Sequence, residues 1–202
     1  MKKTAVAALF MTGAFGAAHA FDGDPEAGRE LSDTCVACHQ ADGNSTNPEY
    51  PKIAGQHAGY AYKQLREFKS GEREDATMAG MVANLSDQDM RDLAAFYAEQ
   101  DVELGIADED LVDLGERIYR AGNPATGVSA CIACHGPAGE GNAPARFPAL
   151  YGQHAEYTKH ELEAFADGER ANDPGRMMRD VAARMSEEEM EAVASYLEGL
   201  TR

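Results

Sequence analysis

The sequence predicts an all-α protein that contains two tandem copies of one small domain. The segment Cys35–His39, which reads Cys-Val-Ala-Cys-His, returns 96 residues later as Cys-Ile-Ala-Cys-His at Cys131–His135. Residues 50–57 and 147–154 both begin with an aromatic residue and a proline, and both end in Gly-Gln-His. Apolar residues elsewhere follow helical spacing, and no segment shows the sustained alternation that is typical of strands. Motifs repeated in the same order indicate that a whole domain was duplicated.

Each copy predicts the same helices in the same order. A first helix precedes each cysteine motif, around residues 25–33 and 110–120. A middle helix follows, with leucine and phenylalanine repeated within residues 65–68 and 162–165. The connection between the two copies falls near residues 100–109.

The last helix of each copy has a defined start. Ser86 and Ser186 are each followed three positions later by an acidic residue, Asp89 and Glu189, which is the pattern of a capping box. The apolar positions of this helix recur in both copies, as Met90, Leu93, Ala94 and Tyr97 in the first and as Met190, Val193, Ala194 and Leu197 in the second. This i, i+3, i+4, i+7 spacing predicts an amphipathic helix.

Residues 1–20 read as a cleaved secretory signal peptide. Lys2 and Lys3 form a basic start, a run of small apolar residues follows, and residues 18–20 read Ala-His-Ala, a typical cleavage site. We therefore predict export to a bacterial periplasm, with a first domain over residues 21–102 and a second over 103–202. A retained membrane anchor is the alternative, but the apolar run is short for a bilayer span.

The net charge narrows the classes of partner. The 202 residues include 18 Lys and Arg against 35 Asp and Glu, a formal charge of −17. Loss of the signal peptide removes two lysines, which leaves 16 basic against 35 acidic side chains, or −19. Such a chain repels phosphate backbones and anionic lipids, so the sequence excludes a nucleic-acid binder. Basic patches on protein partners would attract it, although adaptation to a saline habitat would give the same charge.

The repeated Cys-x-x-Cys-His motif predicts covalent attachment of haem. Two thiols one helical turn apart can add to the two vinyl groups of one haem, and the next histidine can then ligate the iron. The predicted thioethers are Cys35 and Cys38, then Cys131 and Cys134, and the predicted proximal ligands are His39 and His135. A thioredoxin-like redox pair or one zinc site with four thiolates are the alternatives. Neither explains a histidine directly after the second cysteine in both copies.

The repeat also selects candidates for the second axial iron ligand. With the copies aligned on their capping serines, Met78 matches Met178, whereas Met81 and Met177 match no methionine. We therefore predict Met78 and Met178 as axial ligands. His57 and His154 also repeat and would give bis-histidine haems, but we assign them to a loop edge or to the contact between the copies.

Two further pairs of repeated residues are candidates for supporting roles. Pro51 and Pro148 follow the proximal histidines closely, so a carbonyl there could accept the imidazole N–H and fix its tautomer. Arg73 and Arg170 stand in a repeated Gly-Glu-Arg and are candidates to pair with haem propionates. A plain turn proline and a solvated surface arginine are the alternative interpretations.

Together these residues resemble tandem class I cytochromes c, and more narrowly the dihaem cytochrome c4 family. The resemblance extends from Gly28 to Leu200. It implies two covalent haem c groups, with the Cys, His and Met ligands at the positions given above. It also implies that the first and last helices of each domain cross, so that Gly28 approaches Phe96 and Gly115 approaches Tyr196. The second copy departs from the family where residues 149–151 read Ala-Leu-Tyr and lack the lysine.

A haem that has both axial positions filled offers no site for a small-molecule substrate, so the prediction is an electron carrier and not an enzyme. The resemblance implies a periplasmic protein of a respiratory chain, with quinol:cytochrome c reductase or another donor and a terminal oxidase as acceptor, either of them membrane-bound. Two enzymatic alternatives stay open. One is the dihaem subunit of a flavocytochrome c sulfide dehydrogenase. The other is a dihaem peroxidase, which would need a haem iron with a free axial position or with a ligand that can dissociate.

Overall fold

A computed structural model describes residues 21–201 of the chain. The predicted signal peptide lies outside the described residues. The first half contains five helices, α1 (Pro25–Leu31), α2 (Asp33–His39), α3 (Ala58–Ser70), α4 (Ala76–Val82) and α5 (Asp87–Ala98). The second half repeats the order with α6 (Val112–Ala121), α7 (Ile132–His135), α8 (Ala155–Asp167), α9 (Met177–Ala182) and α10 (Glu187–Gly199). A 3₁₀ turn, Pro174–Arg176, precedes α9.

The all-α prediction is confirmed. Over residues 21–201 the β structure consists of two isolated bridges, Asn123 with Val128 and Asn142 with Phe147. The main difference from the predicted elements is α4 and its counterpart α9, which the sequence pattern did not separate from the loops because each spans only about two turns.

Both predicted capping boxes are present. The Ser86 hydroxyl accepts from the Asp89 amide, and the Asp89 carboxylate accepts from the Ser86 amide. Ser186 and Glu189 make the same reciprocal pair at the start of α10. These bonds satisfy helix amides that would otherwise lack a partner, which fixes where the last helix of each half begins.

The first and last helices of each half cross at a glycine. A Cβ atom on Gly28 would lie 2.0 Å from the Asp92 carbonyl oxygen and 2.8 Å from the Phe96 Cβ. A Cβ atom on Gly115 would lie 2.2 Å from the Ala192 oxygen and 2.6 Å from the Tyr196 Cβ. The expected approach of Gly28 to Phe96 and of Gly115 to Tyr196 is confirmed, and no larger residue fits at either crossing.

We expect Gly28→Ala to destabilise the protein by about 3 kcal/mol, because the helices must separate to admit the methyl group. Gly59→Ala is the matched control, since a Cβ atom on this α3 glycine meets nothing within 4 Å. The control should be neutral or slightly stabilising, as alanine favours helix over glycine. Urea unfolding of the two variants measures the difference. Equal unfolding midpoints would show that the crossing is less tight than described.

Each half has a small hydrophobic core in which the first cysteine of its motif takes part. In the first half Leu93, Phe96 and Tyr97 form the buried cluster, and Cys35 packs against it. In the second half Cys131 packs against a cluster formed by Ile118, Tyr119, Val193, Tyr196, Leu197 and Leu200. The first cysteine of each motif therefore faces the interior of its half, whereas Cys134 is exposed.

The two halves contact each other through reciprocal hydrogen bonds. The Gln56 side chain accepts from the Ala149 amide and donates to the Ala149 carbonyl, both at 3.0 Å. Gln153 makes the equivalent pair with Lys52, at 2.9 and 2.8 Å. The duplicated Gly-Gln-His segments thus bind each other's half in the same way.

Over residues 21–201, no helix has the length and hydropathy that a membrane crossing requires.

Candidate functional site

The cysteines of each motif lie about one helical turn apart along a short helix. Cys35 and Cys38 lie on α2, and Cys131 is the N-cap of α7, which contains Cys134. All four thiols are free of disulfides. Among the described residues no three His, Cys, Asp or Glu side chains converge as a metal site, so the thiols do not converge as a four-thiolate zinc site requires.

Burial holds the first thiol of each motif in its neutral form. Burial raises the pKa of Cys35 and raises the pKa of Cys131 to about 11. Redox-active pairs of the thioredoxin type instead depend on a thiol whose pKa is lowered. The two motifs therefore lack the electrostatic environment of a dithiol redox centre, whereas thioether formation leaves no thiol to ionise.

The histidine of each motif is buried and bound through one ring nitrogen. His39 Nδ1 lies 2.9 Å from the Pro51 carbonyl oxygen, and His135 Nδ1 lies 3.0 Å from that of Pro148. The sequence predicted this contact, because each proline follows its histidine closely in the chain. Burial lowers the pKa of both imidazoles, although the bond to the carbonyl opposes this shift. A neutral ring that donates from Nδ1 presents the lone pair of Nε2, which is the state that ligates iron.

An aromatic ring beside each histidine was not singled out from the sequence. Tyr50 meets the His39 ring edge-on at a centroid distance of 6.4 Å, and Phe147 lies 6.2 Å from the His135 ring. Both stand directly before the prolines that accept the imidazole bonds. The repeated aromatic-proline pair was therefore the available signal, and it marks a segment that orients the histidine through both its ring and its backbone.

The four candidate methionines differ in exposure. Met78 and Met178 are half-buried, on α4 and α9, while Met81 is 48% and Met177 is 44% exposed. Asp75 caps α4 by accepting from the Met78 amide at 2.7 Å. Met178 packs against the cluster of Phe165, Ala182 and Met190 in the second half. Of the four, the repeated pair is the less exposed.

The rival histidines lie at the contact between the halves. His57 Nε2 is 2.7 Å from the Glu140 carbonyl oxygen, and His154 Nε2 is 2.8 Å from that of Ser45. Each ring thus bonds the backbone of the other half. This position agrees with the interpretation of His57 and His154 as contact residues, and their Nε2 atoms are engaged there.

Arg73 and Arg170 form a buried network between the halves. Arg73 contacts Glu161 at 2.5 Å and Arg170 contacts it at 2.6 Å. Arg73 also donates to Tyr157 and Arg170 to Tyr60, each across the contact. The sequence suggested propionate partners for these arginines, whereas the protein groups that bind them here are the Glu161 carboxylate, two phenols and the side-chain amides of Gln64 and Asn172. The alternative of a solvated surface arginine is wrong for both, since their side chains are 10% and 9% exposed.

Glu161 carries the negative charge of this network. At the equivalent position of the first half stands Gln64, whose Oε1 accepts from both arginines and whose Nε2 is buried without a partner in the described residues. Burial alone would raise the pKa of Glu161, but the charges of Arg170 and Arg73 outweigh it and lower the pKa below its ordinary value.

We expect Glu161→Gln to lower the free energy of unfolding by about 3 kcal/mol at neutral pH, because it leaves two buried arginines without a carboxylate. A carboxylate with a lowered folded-state pKa stabilises above its unfolded pKa, and the contribution is lost as pH falls through the folded value. The wild-type advantage should therefore shrink below the ordinary pKa near 4.5. Urea midpoints at several pH values measure it.

Glu116→Gln is the matched control, because Glu116 pairs with Arg120 on the surface at 48% and 44% exposure. Its effect should be close to zero. A Glu161→Gln variant as stable as this control at neutral pH would contradict the structural role of the network.

Comparison with known proteins agrees with the duplicated fold. The family model for cytochrome c matches residues 25–99 and again residues 112–201. Cytochrome c4 of Thiocapsa roseopersicina is 51% identical over 182 residues, which cover 89% of this chain and 94% of that protein. A more distant relative, the thiosulfate dehydrogenase electron acceptor of Stutzerimonas stutzeri, is 39% identical and covers 80% of this chain and 76% of its own.

A solved structure agrees over the whole fold. Reduced recombinant cytochrome c4 from Pseudomonas stutzeri superposes with a TM-score of 0.86 at 44% identity, covering 89% of this chain and all of that one. The two cysteine pairs, the bound imidazoles and the half-buried methionines fit one covalent haem in each half. The chain belongs to the cytochrome c4 family of dihaem electron-transfer proteins and consists of two tandem cytochrome c domains.

Proposed function

We propose that the protein is a periplasmic electron carrier of a respiratory chain and that it delivers electrons to a terminal oxidase. The observation that supports this proposal is the pair of candidate iron donors in each half. One buried imidazole has its Nδ1 bound to a proline carbonyl, and one repeated methionine is half-buried. Such a donor set suits electron transfer, because it leaves no coordination position for a substrate.

The proposed ligands are His39 and Met78 in the first domain and His135 and Met178 in the second. Cys35 and Cys38, then Cys131 and Cys134, form the thioethers. The haem groups supply one-electron exchange when bound. Pro51 and Pro148 hold the imidazole tautomer, which keeps the ligating nitrogen unprotonated. The proposed domains are residues 21–102 and 103–202, after removal of a signal peptide over residues 1–20.

The contact between the domains supports a role in which both centres act as one unit. Gln56 and Gln153 each bridge to the other domain by two hydrogen bonds, and Glu161 binds an arginine from each. A contact of this kind holds the two centres at a fixed separation, so an electron that enters one domain can leave from the other.

Several classes of electron donor are compatible with the proposal. Quinol:cytochrome c reductase is one donor class. The thiosulfate dehydrogenase electron acceptors among the relatives suggest a second, in which a thiosulfate dehydrogenase reduces the carrier. A flavoprotein partner would correspond to the sulfide dehydrogenase alternative.

Stopped-flow oxidation of the reduced protein by oxidase-containing membranes of its host tests the proposed acceptor. We expect fast oxidation whose rate falls as salt is added, because a carrier with 16 basic against 35 acidic side chains, a charge of −19 after removal of the signal peptide, should meet a basic surface. Cyanide, which blocks terminal oxidases, should stop the reaction. Failure of the membranes to oxidise the protein at any ionic strength would overturn the assignment of the acceptor.

A further inference from the structure

A cleft of about 220 Å³ lies where the two halves meet, and its charge differs from that of the rest of the molecule. One wall is formed by α3, and Arg146 of the second half forms the other. We call it the basic cleft and define it by its seven lining residues, Tyr62, Lys63, Arg66, Glu67, Ser70, Glu72 and Arg146.

Two arginines in the basic cleft are available to bind an anion. Arg66 and Arg146 are exposed, and neither forms an ion pair within residues 21–201. Arg66 lies over the Tyr62 ring at 5.6 Å and interacts electrostatically with Asp87, whose carboxylate pairs with Arg91 at 2.9 Å. Both arginines of the cleft are exposed cations in a chain with 35 acidic residues against 18 basic ones.

The nearest carboxylate in the cleft is already engaged. Glu67 contacts Lys63 at 2.6 Å and accepts from Asn172 at 2.6 Å, and its side chain is only 13% exposed. It therefore neutralises Lys63 and presents no charge outward. Glu72 remains exposed at the rim of the cleft, so the exposed groups of the cleft carry a net positive charge.

The backbone holds Arg146 in an uncommon conformation. Its φ is +58°, in the left-handed region that non-glycine residues rarely adopt. The hydrogen bonds between Asn142 and Phe147, at 2.9 and 3.0 Å, close the turn on which it stands. Such strain persists where the surrounding structure fixes it, and it occurs often at binding sites.

The repeat shows that this charge is specific to one side of the molecule. At the positions equivalent to Arg66 and Arg146, the other copy has Glu163 and Glu49, so both charges are reversed. Asp167 also replaces Ser70. The one cation there, Lys159, lies within 4 Å of three carboxylates, those of Glu163, Glu187 and Glu191. The equivalent surface is therefore strongly acidic.

We propose that the basic cleft is the docking surface for an acidic protein partner, whose carboxylates bind Arg66 and Arg146. The opposite sign of the equivalent surface gives the molecule two chemically distinct sides. The proposed docking role rests on the proposed carrier function, because a carrier must recognise both a donor and an acceptor. The net charge alone would assign only basic partners.

The test uses the ¹⁵N-labelled, fully reduced dihaem protein at low ionic strength, with a hexaglutamate peptide as the probe. We expect amide shifts within residues 62–72 and at Arg146, and none around Glu163. The double variant Arg66→Glu/Arg146→Glu should weaken the affinity about tenfold. Arg29→Glu is a control with an exposed arginine on α1 that already pairs with Glu26, and it should leave the affinity within about twofold of wild type.

Three outcomes would overturn the proposal. Shifts centred outside the cleft would locate the anion elsewhere. An affinity unchanged in the double variant would show that the arginines do not bind the peptide. Sulfate at the same ionic strength that shifts the same amides with equal affinity would indicate a small-anion site. Each result is read from the amide map, so it is independent of whether the carrier function holds.

Discussion

Cys35→Ala/Cys38→Ala should abolish cooperative folding of the first domain while the second domain still folds around its own haem. Cys35 packs against a buried cluster of only three residues, Leu93, Phe96 and Tyr97. The other buried apolar residues of the first half are Ala54, Phe68, Val82, Met90 and Ala94. A core of this size supplies about 3–5 kcal/mol at most, so losing a large apolar group from it should exceed the stability that remains.

Thermal unfolding followed by far-ultraviolet circular dichroism measures this effect. The variant should keep one transition, of roughly half the amplitude, and the haem content should fall to one per chain. The reciprocal variant Cys131→Ala/Cys134→Ala is the matched control and should spare the first domain instead. Two cooperative transitions in a chain that carries one haem would contradict the role of haem as part of the core.

Met78→His should lower the midpoint potential of one haem and leave the other nearly unchanged. A thioether ligand favours ferrous iron, and a second imidazole favours it less. The shift should be a substantial part of the roughly 0.8 V range that axial ligands span. The absorption band characteristic of thioether bound to ferric haem should fall by half.

Met81→His is the control on the same helix, because Met81 is 48% exposed. It should change neither potential. Met178→His and Met177→His form the equivalent pair in the second domain, since Met177 is 44% exposed. Unchanged spectra in both Met78→His and Met178→His would refute the ligand assignment.

The sequence predicted the fold well because its strongest signals are local and repeated. Ser86 and Ser186 define the last helix of each half through neighbouring residues alone, and the structure has both capping boxes. The helix crossing at Gly28 was predicted only through the family resemblance, because a single glycine in a helix does not indicate which residue packs against it.

The contact between the halves was harder to predict, since it depends on residues far apart in the chain. Repetition indicated that His57 and His154 are structural, but not that each would bond a backbone carbonyl of the other half. Arg73 and Arg170 were placed near propionates because charge complementarity suggested an anion. Their protein partner is Glu161, at a position where the other copy has Gln64, so the repeat gave no sign of it.

Spectroelectrochemical titration of the purified protein, followed by carbon monoxide addition to its reduced form, tests the central claim most directly. We predict two one-electron steps per chain, both haems ligated by His and Met, and a reduced spectrum that carbon monoxide leaves unchanged at neutral pH. A single step that accounts for one electron per chain, or ready carbon monoxide binding at either haem, would contradict a carrier with two closed centres.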